Sequence, residues 1–323
     1  MKNLWHEWYF NNWIQTFMKS DYADLSNIEN YDISFVWIPC DIWASYRKWT
    51  SLWPKFVREY SYWDDVNWWK FYDLDNNIYL DSNNLKICDL WDIHINPTDL
   101  AQTEKNIENT ITDITKKSFP LIVWGDHSIA YYTIKWFISW LNGVNKEDVA
   151  ILHLDAHTDV EDKYIDMPRI YHWSPFRYLI EDGIINSKNL FTVGVRWVIP
   201  IKLINYINDK WINLFTMDYI NKIWVEKFFC ELLEKLRIYK YIYITLDVDC
   251  IDPSELKWTW TPLEGWFKSK DIHYFLRQLK TLNVYWFEVV ELSPNLDLSW
   301  YSNMIVCNLL WHFLSFWYTN HRI

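Results

Sequence analysis

At 323 residues, half of them hydrophobic, the chain is long enough for one large α/β domain or two smaller ones, with a sizeable core. Its net charge of −11 argues against nucleic acid and anionic membrane as partners, and no uncharged apolar run reaches the roughly 18 residues of a spanning helix. Five cysteines, odd in number and without a CxxC pair, argue against a disulfide framework or zinc finger and point to reduced thiols in the cytoplasm. The stretch Met1–Glu7 lacks the apolar core of a signal peptide, so none is expected.

Residues 1–30 show no clear period and read as an N-terminal arm. Ile33–Pro39 reads as a buried strand, residues 40–53 as a loop without a loop's glycines, and Pro54 opens a helix to about Tyr60. Loop and irregular strand over 61–84 lead to a strand at Leu85–Leu90 and an amphipathic helix over Pro97–Lys117. The strand Phe119–Val123 ends in Trp124-Gly125-Asp126-His127-Ser128, and a helix follows to Leu141. The apolar run Val149–Leu152 is a strand that runs toward Asp155-Ala156-His157-Thr158-Asp159. Next come a loop, a helix near 175–182, a strand at Asn189–Val195, a short helix at Pro200–Asn208, a strand at Ile212–Thr216 and a helix at Asn221–Leu236. Tyr241–Leu246 is a strand ending in Asp247-Val248-Asp249, and a long loop occupies 250–268. A helix at Asp271–Leu282, a strand at Val284–Val290 ending in Glu291, and a helix over 302–318 complete the chain.

Strands alternating with helices of about 10–15 residues mean βαβ units and a mostly parallel sheet. With no linker and no repeat, residues 1–323 read as a single domain. In such sheets ligands bind beyond the carboxyl ends of the strands. The charged clusters fall there each time: Asp126/His127, Asp155/His157/Asp159, Asp247/Asp249 and Glu291.

Asp155, His157 and Asp159 occupy alternate positions, which extended backbone would aim to one side. Carboxylates with an imidazole suit a hard or borderline divalent cation such as Mn, Fe, Co or Zn. An isolated Asp-x-Asp is an ordinary strand-end cap. Beside a neighbouring Asp-x-His-x-Asp it reads as metal ligation. His127, Asp155, His157, Asp159, Asp247 and Asp249 exceed what one ion needs and suit two ions about 3.5–4 Å apart, which make water a nucleophile at neutral pH.

Three motifs resemble those of the ureohydrolase family, the arginases, agmatinases and their relatives: Gly125-Asp126-His127-Ser128, Asp155-Ala156-His157-Thr158-Asp159, and Leu246-Asp247-Val248-Asp249-Cys250-Ile251-Asp252-Pro253. The last is similar to the family's SLDVDxxDP, with Thr245 in place of Ser, and the resemblance runs in order over residues 33–317. It implies a three-layer α/β/α fold around a mostly parallel eight-stranded sheet, and two Mn2+ per subunit. One ion would take His127, Asp155, Asp159 and Asp247; the other Asp155, His157, Asp247 and Asp249, with Asp155 and Asp247 shared. A hydroxide bridging the ions would attack a guanidinium carbon, with Asp159 orienting it. His172 matches the family's proton-shuttling His, and Glu291 the carboxylate that clamps the guanidinium. The resemblance further implies a homotrimer or homohexamer. His153 is read as strand packing or support for Asp155.

For the substrate, Glu161 stands where arginases carry an Asn that grips the amino-acid head. The run His172-Trp173-Ser174-Pro175-Phe176-Arg177 resembles an agmatinase motif. Agmatine, a dication whose distal amine Glu161 could meet, is therefore the expected substrate, with putrescine and urea as products. Solvated loop charge accounts for Glu161 equally well. Guanidinobutyrase and guanidinopropionase stay open, since Arg177 could meet a carboxylate tail, as do arginase, formiminoglutamase and a metal-binding pseudoenzyme.

Composition holds one anomaly: 5 Gly and 25 Trp, where about 7% Gly is usual. Trp37, Trp43, Trp49, Trp53, Trp91, Trp124, Trp173, Trp258, Trp260, Trp266 and Trp286 fall where the family pattern has glycine. Glycine serves places that need a positive φ or close backbone approach, and Trp is the worst replacement. Most or all of the 25 are expected to be glycine in the natural protein, encoded by UGA in a lineage that reads this codon as Gly. If Trp is literal, Trp124 and Trp173 are expected to crowd the metal site.

Overall fold

The computed structural model describes residues 15–44, 50–63, 71–81, 83–164, 166–196, 198–257, 259, 265, 267–293, 297 and 299–322. The strands are β1 (Asp21–Tyr22), β2 (Ile33–Ile38), β3 (Phe71–Asp73), β4 (Ile78–Leu80), β5 (Ile87–Asp92), β6 (Phe119–Trp124), β7 (Val149–Leu154), β8 (Leu190–Val195), β9 (Asn213–Thr216), β10 (Tyr241–Asp247) and β11 (Val284–Val290). The α-helices are α1 (Trp53–Trp63), α2 (Leu100–Thr115), α3 (Ala130–Trp140), α4 (Pro175–Glu181), α5 (Ile201–Asp209), α6 (Met217–Ile223), α7 (Val225–Leu236), α8 (Ser269–Gln278) and α9 (Tyr301–Arg322).

Nine strands form one sheet in the order β1-β5-β2-β6-β11-β10-β7-β8-β9, and every pairing in it is parallel. The eight expected strands are there. The ninth, β1, is a two-residue edge strand in the stretch read as an arm, paired through Asp21↔Cys88 and Tyr22↔Asp89. β3 and β4 pair antiparallel as a separate hairpin within the segment read as irregular.

β2, β7 and β8 are buried at every position, as they must be when helices cover both faces of a parallel sheet. One face packs Val57 of α1, Phe229 of α7, Phe275 of α8 and Leu309 of α9. The other packs Ile107 of α2, Phe137 of α3, Leu179 of α4 and Ile207 of α5. The result is a three-layer α/β/α domain. Among the described residues no helix is long and apolar enough to cross a membrane.

The single helix expected over Asn221–Leu236 is two, α6 and α7, broken at Trp224 with φ 74° and ψ 138°. A left-handed φ cannot continue a right-handed helix, and glycine is the residue that adopts it at least cost. Trp91, Trp211 and Trp300 share the positive φ, at 62°, 58° and 63°. Four of the ten non-glycine residues at positive φ among the described residues are thus tryptophan, itself 25 of 323 in the chain. Trp53 and Trp286 bury their indole N–H groups with no acceptor, which costs about 1–3 kcal/mol each. Trp37 is better housed, donating to Asp89 at 2.9 Å beneath the Arg58 guanidinium. The left-handed positions supply a reason for the glycine expectation that is independent of motif resemblance. Trp49, Trp258, Trp260, Trp266 and the Trp124 side chain lie outside the described residues.

Candidate metal centre

The charged strand ends belong to four adjacent central strands: β6, β10 and β7 carry the candidate ligands, and β11, between β6 and β10, carries Glu291. After β6 the chain turns at Asp126, whose carboxylate accepts the Ser128 amide (3.0 Å), and this turn presents His127. The His127 Nδ1 atom, buried and with no well-aligned hydrogen bond, points among three carboxylates: Asp159 Oδ2 at 2.9 Å, Asp155 Oδ2 at 3.0 Å and Asp247 Oδ2 at 3.4 Å. On the other side of Asp155, His157 Nδ1 lies 2.9 Å from Asp249 Oδ2 and 3.4 Å from Asp155 Oδ1.

Candidate ligand atoms within 4.8 Å of one another fall into two groups among the described residues. They are His127, His153, Asp155 and Asp159, and Asp155, His157 and Asp249. Asp155 belongs to both, as a bridging carboxylate would. Asp247 reaches the first group through one oxygen and gives its other to the Asp249 amide (2.8 Å), so the second expected bridge is not reproduced in the grouping. His153 enters the first group, but its Nε2 meets Asp155 Oδ2 at 2.7 Å from within β7, a supporting contact.

One local expectation fails. β7 ends at Leu154, so the Asp155–Asp159 motif is not extended strand. Asp159 has φ 48°, a left-handed turn that brings its carboxylate back onto His127. Asp tolerates this conformation better than most residues. Glu291, at φ 67°, is placed the same way past β11.

The charges explain what the arrangement asks for. Burial alone would depress both imidazoles. The close Asp155, Asp159 and Asp247 carboxylates nevertheless hold His127 well above its usual range, and the Asp249 and Asp155 carboxylates do the same for His157. Burial would raise Asp155, yet His153 and the bonds from His127, His153 and His157 hold it well below. Asp159 is pushed up to about 7 by burial and by the Asp155 charge. Asp247 is driven well up by burial, then by Asp249 and Asp155, and Asp249 is raised by burial and Asp155. Four crowded buried carboxylates repel one another, and divalent cations would relieve that repulsion. Oxygen donors with two imidazoles fit Mn2+-type ions.

Glu291 lies beside this centre. Its Oε1 accepts the His127 amide at 2.8 Å, while its buried Oε2 has no partner. Burial and the neighbouring Asp126 charge hold its carboxyl well above the usual range. Asp126, absent from the predicted site residues, also leaves Oδ2 buried and unpartnered, and burial lifts it to about 6. Its place between Gly125 and His127 was the signal available. Gly125 itself is required: a Cβ there would lie 1.6 Å from the Cys40 carbonyl oxygen. His172 is buried, with Nδ1 3.2 Å from the Trp43 carbonyl, and burial pulls its imidazole down to about 4.

A pocket of about 160 Å³ opens from His157 and Asp159, lined by Glu161, Trp173, Arg196 and an apolar wall of Val195, Val198, Ile199, Pro200 and Leu203. Trp173 is thus at the site, as expected, and Glu161 is held there by its amide bond to the Trp173 carbonyl (2.8 Å). Arg177 is not in this pocket. It pairs with Glu181 (2.9 Å) and Asp162 (3.2 Å) and packs over Tyr206, so the arginine beside the site is Arg196.

A family model described as the Arginase family matches residues 31–315. The chain is 27% identical to the mitochondrial guanidino acid hydrolase of Homo sapiens, over 88% of this chain and 78% of that protein. It is 26% identical to the agmatinase of Chromobacterium violaceum, over 88% and 83%. In structure it resembles proclavaminate amidino hydrolase from Streptomyces clavuligerus (TM-score 0.82, 23% identity, covering 95% of this chain and 98% of that one). It also resembles the Trypanosoma cruzi formiminoglutamase with Mn2+ (TM-score 0.78, 19% identity, 93% and 99%).

Proposed function

The chain belongs to the arginase family, hydrolases acting on guanidino compounds, and from that premise we propose that its substrate is agmatine, converted to putrescine and urea. The observation that carries this is the pocket: an apolar wall matched to a hydrocarbon tail, with the acid Glu161 at its rim to meet a distal amine. We propose Mn2+ as the metal. His127, Asp155, Asp159 and Asp247 would hold one ion, and Asp155, His157, Asp247 and Asp249 the other. Two such ions supply a water made nucleophilic at neutral pH.

The chain's own groups do the rest. The unpartnered Glu291 Oε2 and Asp126 Oδ2 are acceptors for the guanidinium N–H groups, a planar cation suited to paired carboxylate oxygens. Asp159, which burial lifts to about 7, accepts a hydrogen bond from the attacking water and orients it. Water oxygen bonds to the guanidinium carbon, the bond from that carbon to the tail nitrogen breaks, and the departing amine takes up a proton. His172, buried beside the Trp43 carbonyl and the Trp173 ring, takes the proton that the attacking water sheds and passes it to that amine.

Arg196 favours a second reading, in which the tail ends in a carboxylate and the substrate is a guanidino acid. Urea release with Mn2+ added, compared across agmatine, arginine, guanidinobutyrate and guanidinopropionate, tests both. Agmatine should give the highest kcat/KM. A guanidino acid ahead of it would replace the first reading with the second. Formamide from a formimino substrate would reassign the product, and no turnover of any substrate would mean a pseudoenzyme.

A further inference from the structure

One rung below the metal centre, a polar row crosses four strands of the otherwise apolar sheet. The pairings Thr192↔His153, His153↔Thr245 and Thr245↔Glu288 put these residues side by side on β8, β7, β10 and β11. All four are buried, and His153, Thr245 and Glu288 have no exposed surface. Burying a carboxyl in a sheet core is costly unless something holds it. Two members already have evident tasks. His153 supports Asp155, with Thr192 Oγ1 3.4 Å from its Nδ1. Thr245 Oγ1 lies 2.9 Å from His127 Nε2. Glu288 has none assigned. Its Oε2 accepts the Thr133 hydroxyl of α3 at 3.1 Å. Register sets the Thr245 hydroxyl beside it, with that of Tyr243 two residues earlier on the same strand, although neither Tyr243 nor Glu288 Oε1 forms a well-aligned bond and Thr245 and Glu288 are in proximity without one.

We propose that Glu288 is a positioning residue for the metal centre: as acceptor for the Thr245 hydroxyl, it turns the Thr245 lone pair toward His127 Nε2–H and so leaves the His127 Nδ1 lone pair for the cation that Asp155, Asp159 and Asp247 would hold with it. A threonine hydroxyl carries one proton. If that proton goes to Glu288, Thr245 can only accept from His127. The ring proton then sits on Nε2, and Nδ1 has its lone pair free for a cation. Without an acceptor at 288, Thr245 is free to donate to Nε2 instead. That favours the other tautomer, with a proton on Nδ1 where the cation belongs. The chain works whether Glu288 is ionised or neutral, because both forms have an acceptor oxygen. Partners behind metal-bound imidazoles set their tautomer and orientation in this way.

This rests on His127 being a metal ligand, so the test separates the two ideas. Mn2+ affinity and stoichiometry are measured by calorimetry on the purified full chain, alongside thermal melts without metal. Glu288→Met and Thr245→Val should each weaken one of two Mn2+ sites by about 10–100-fold. Their metal-free melting should hold, and Glu288→Gln, which keeps an acceptor, should stay near wild type. The double variant should be no worse than Thr245→Val alone, since both cut one chain. Wild-type Mn2+ binding by Glu288→Met would overturn the proposal, as would lost melting stability with unchanged affinity. Should these variants not fold, nitrogen-15 NMR of the Zn2+-loaded wild type decides: a proton on Nε2 of His127 is expected, and one on Nδ1 refutes it. A wild type that binds no metal would instead sink the ligand reading of His127.

Discussion

The charged ends of the central strands and the apolar wall after β8 meet at one pocket, where the segment after β7 contributes His157 and Asp159, and the two regions are built in opposite ways. The strand ends hold charge: of the six proposed ligands only His157, at 17% side-chain exposure, reaches solvent appreciably, and each leans on a neighbour. The wall is apolar surface from the end of β8, the connection after it and the first turn of α5, with Glu161 and Arg196 beside it. Removing a member of a buried charged set leaves its partners uncompensated, whereas an apolar wall accepts changes that keep its volume. On the function proposed above, the first region would fix which bond breaks, and the second would decide which tail is admitted. A family can therefore keep its chemistry while its substrates diverge.

The comparison predicts a graded series. Asp249→Asn should have the largest effect, because Asp249 faces His157 and also accepts the Ala156 amide (3.0 Å). Urea release should fall by more than the about 10–100-fold that outer-layer changes cost, with metal content falling in step. Chelation should reproduce this loss and Mn2+ reverse it; a near-wild-type Asp249→Asn would break the contrast between the two regions. His172→Asn should lower kcat by about 10²-fold, the low end for general acid–base groups, with bound metal and KM little changed. A purely structural His172 would show its loss in melting temperature instead. Glu161→Gln should raise the agmatine KM about five- to tenfold, the ~1 kcal/mol of a partly exposed ion pair, at constant kcat. An unchanged KM would remove Glu161 from substrate recognition and favour the guanidino-acid reading. The smallest effect expected lies outside both regions. Trp224→Gly should raise the thermal midpoint by a few degrees, since a left-handed non-glycine residue costs on the order of 1 kcal/mol. A drop in that midpoint, or UGG at codon 224, would count against glycine there.

Element order and the gathering of the candidate ligands were legible in the sequence because they rest on short-range signals. Apolar runs such as Val149–Leu152 could only be buried strands, and Asp155-Ala156-His157-Thr158-Asp159 and Asp247-Val248-Asp249 carry their chemistry within five and three residues. The helix break at Trp224 was hidden because its local signal, a glycine, is not the letter written there.

What the chain order by itself determined is that carboxylates and imidazoles would collect at one edge of a parallel sheet, since parallel strands all end on the same side. Only the tertiary structure decided how they meet. The left-handed turn at Asp159 closes its carboxylate onto His127. Strand register sets Glu288 beside Thr245 and, through it, behind His127. The connection after β8 brings Arg196, not Arg177, to the pocket. Each of these depends on residues far apart in sequence or on a φ angle, and no local pattern of side chains encodes either.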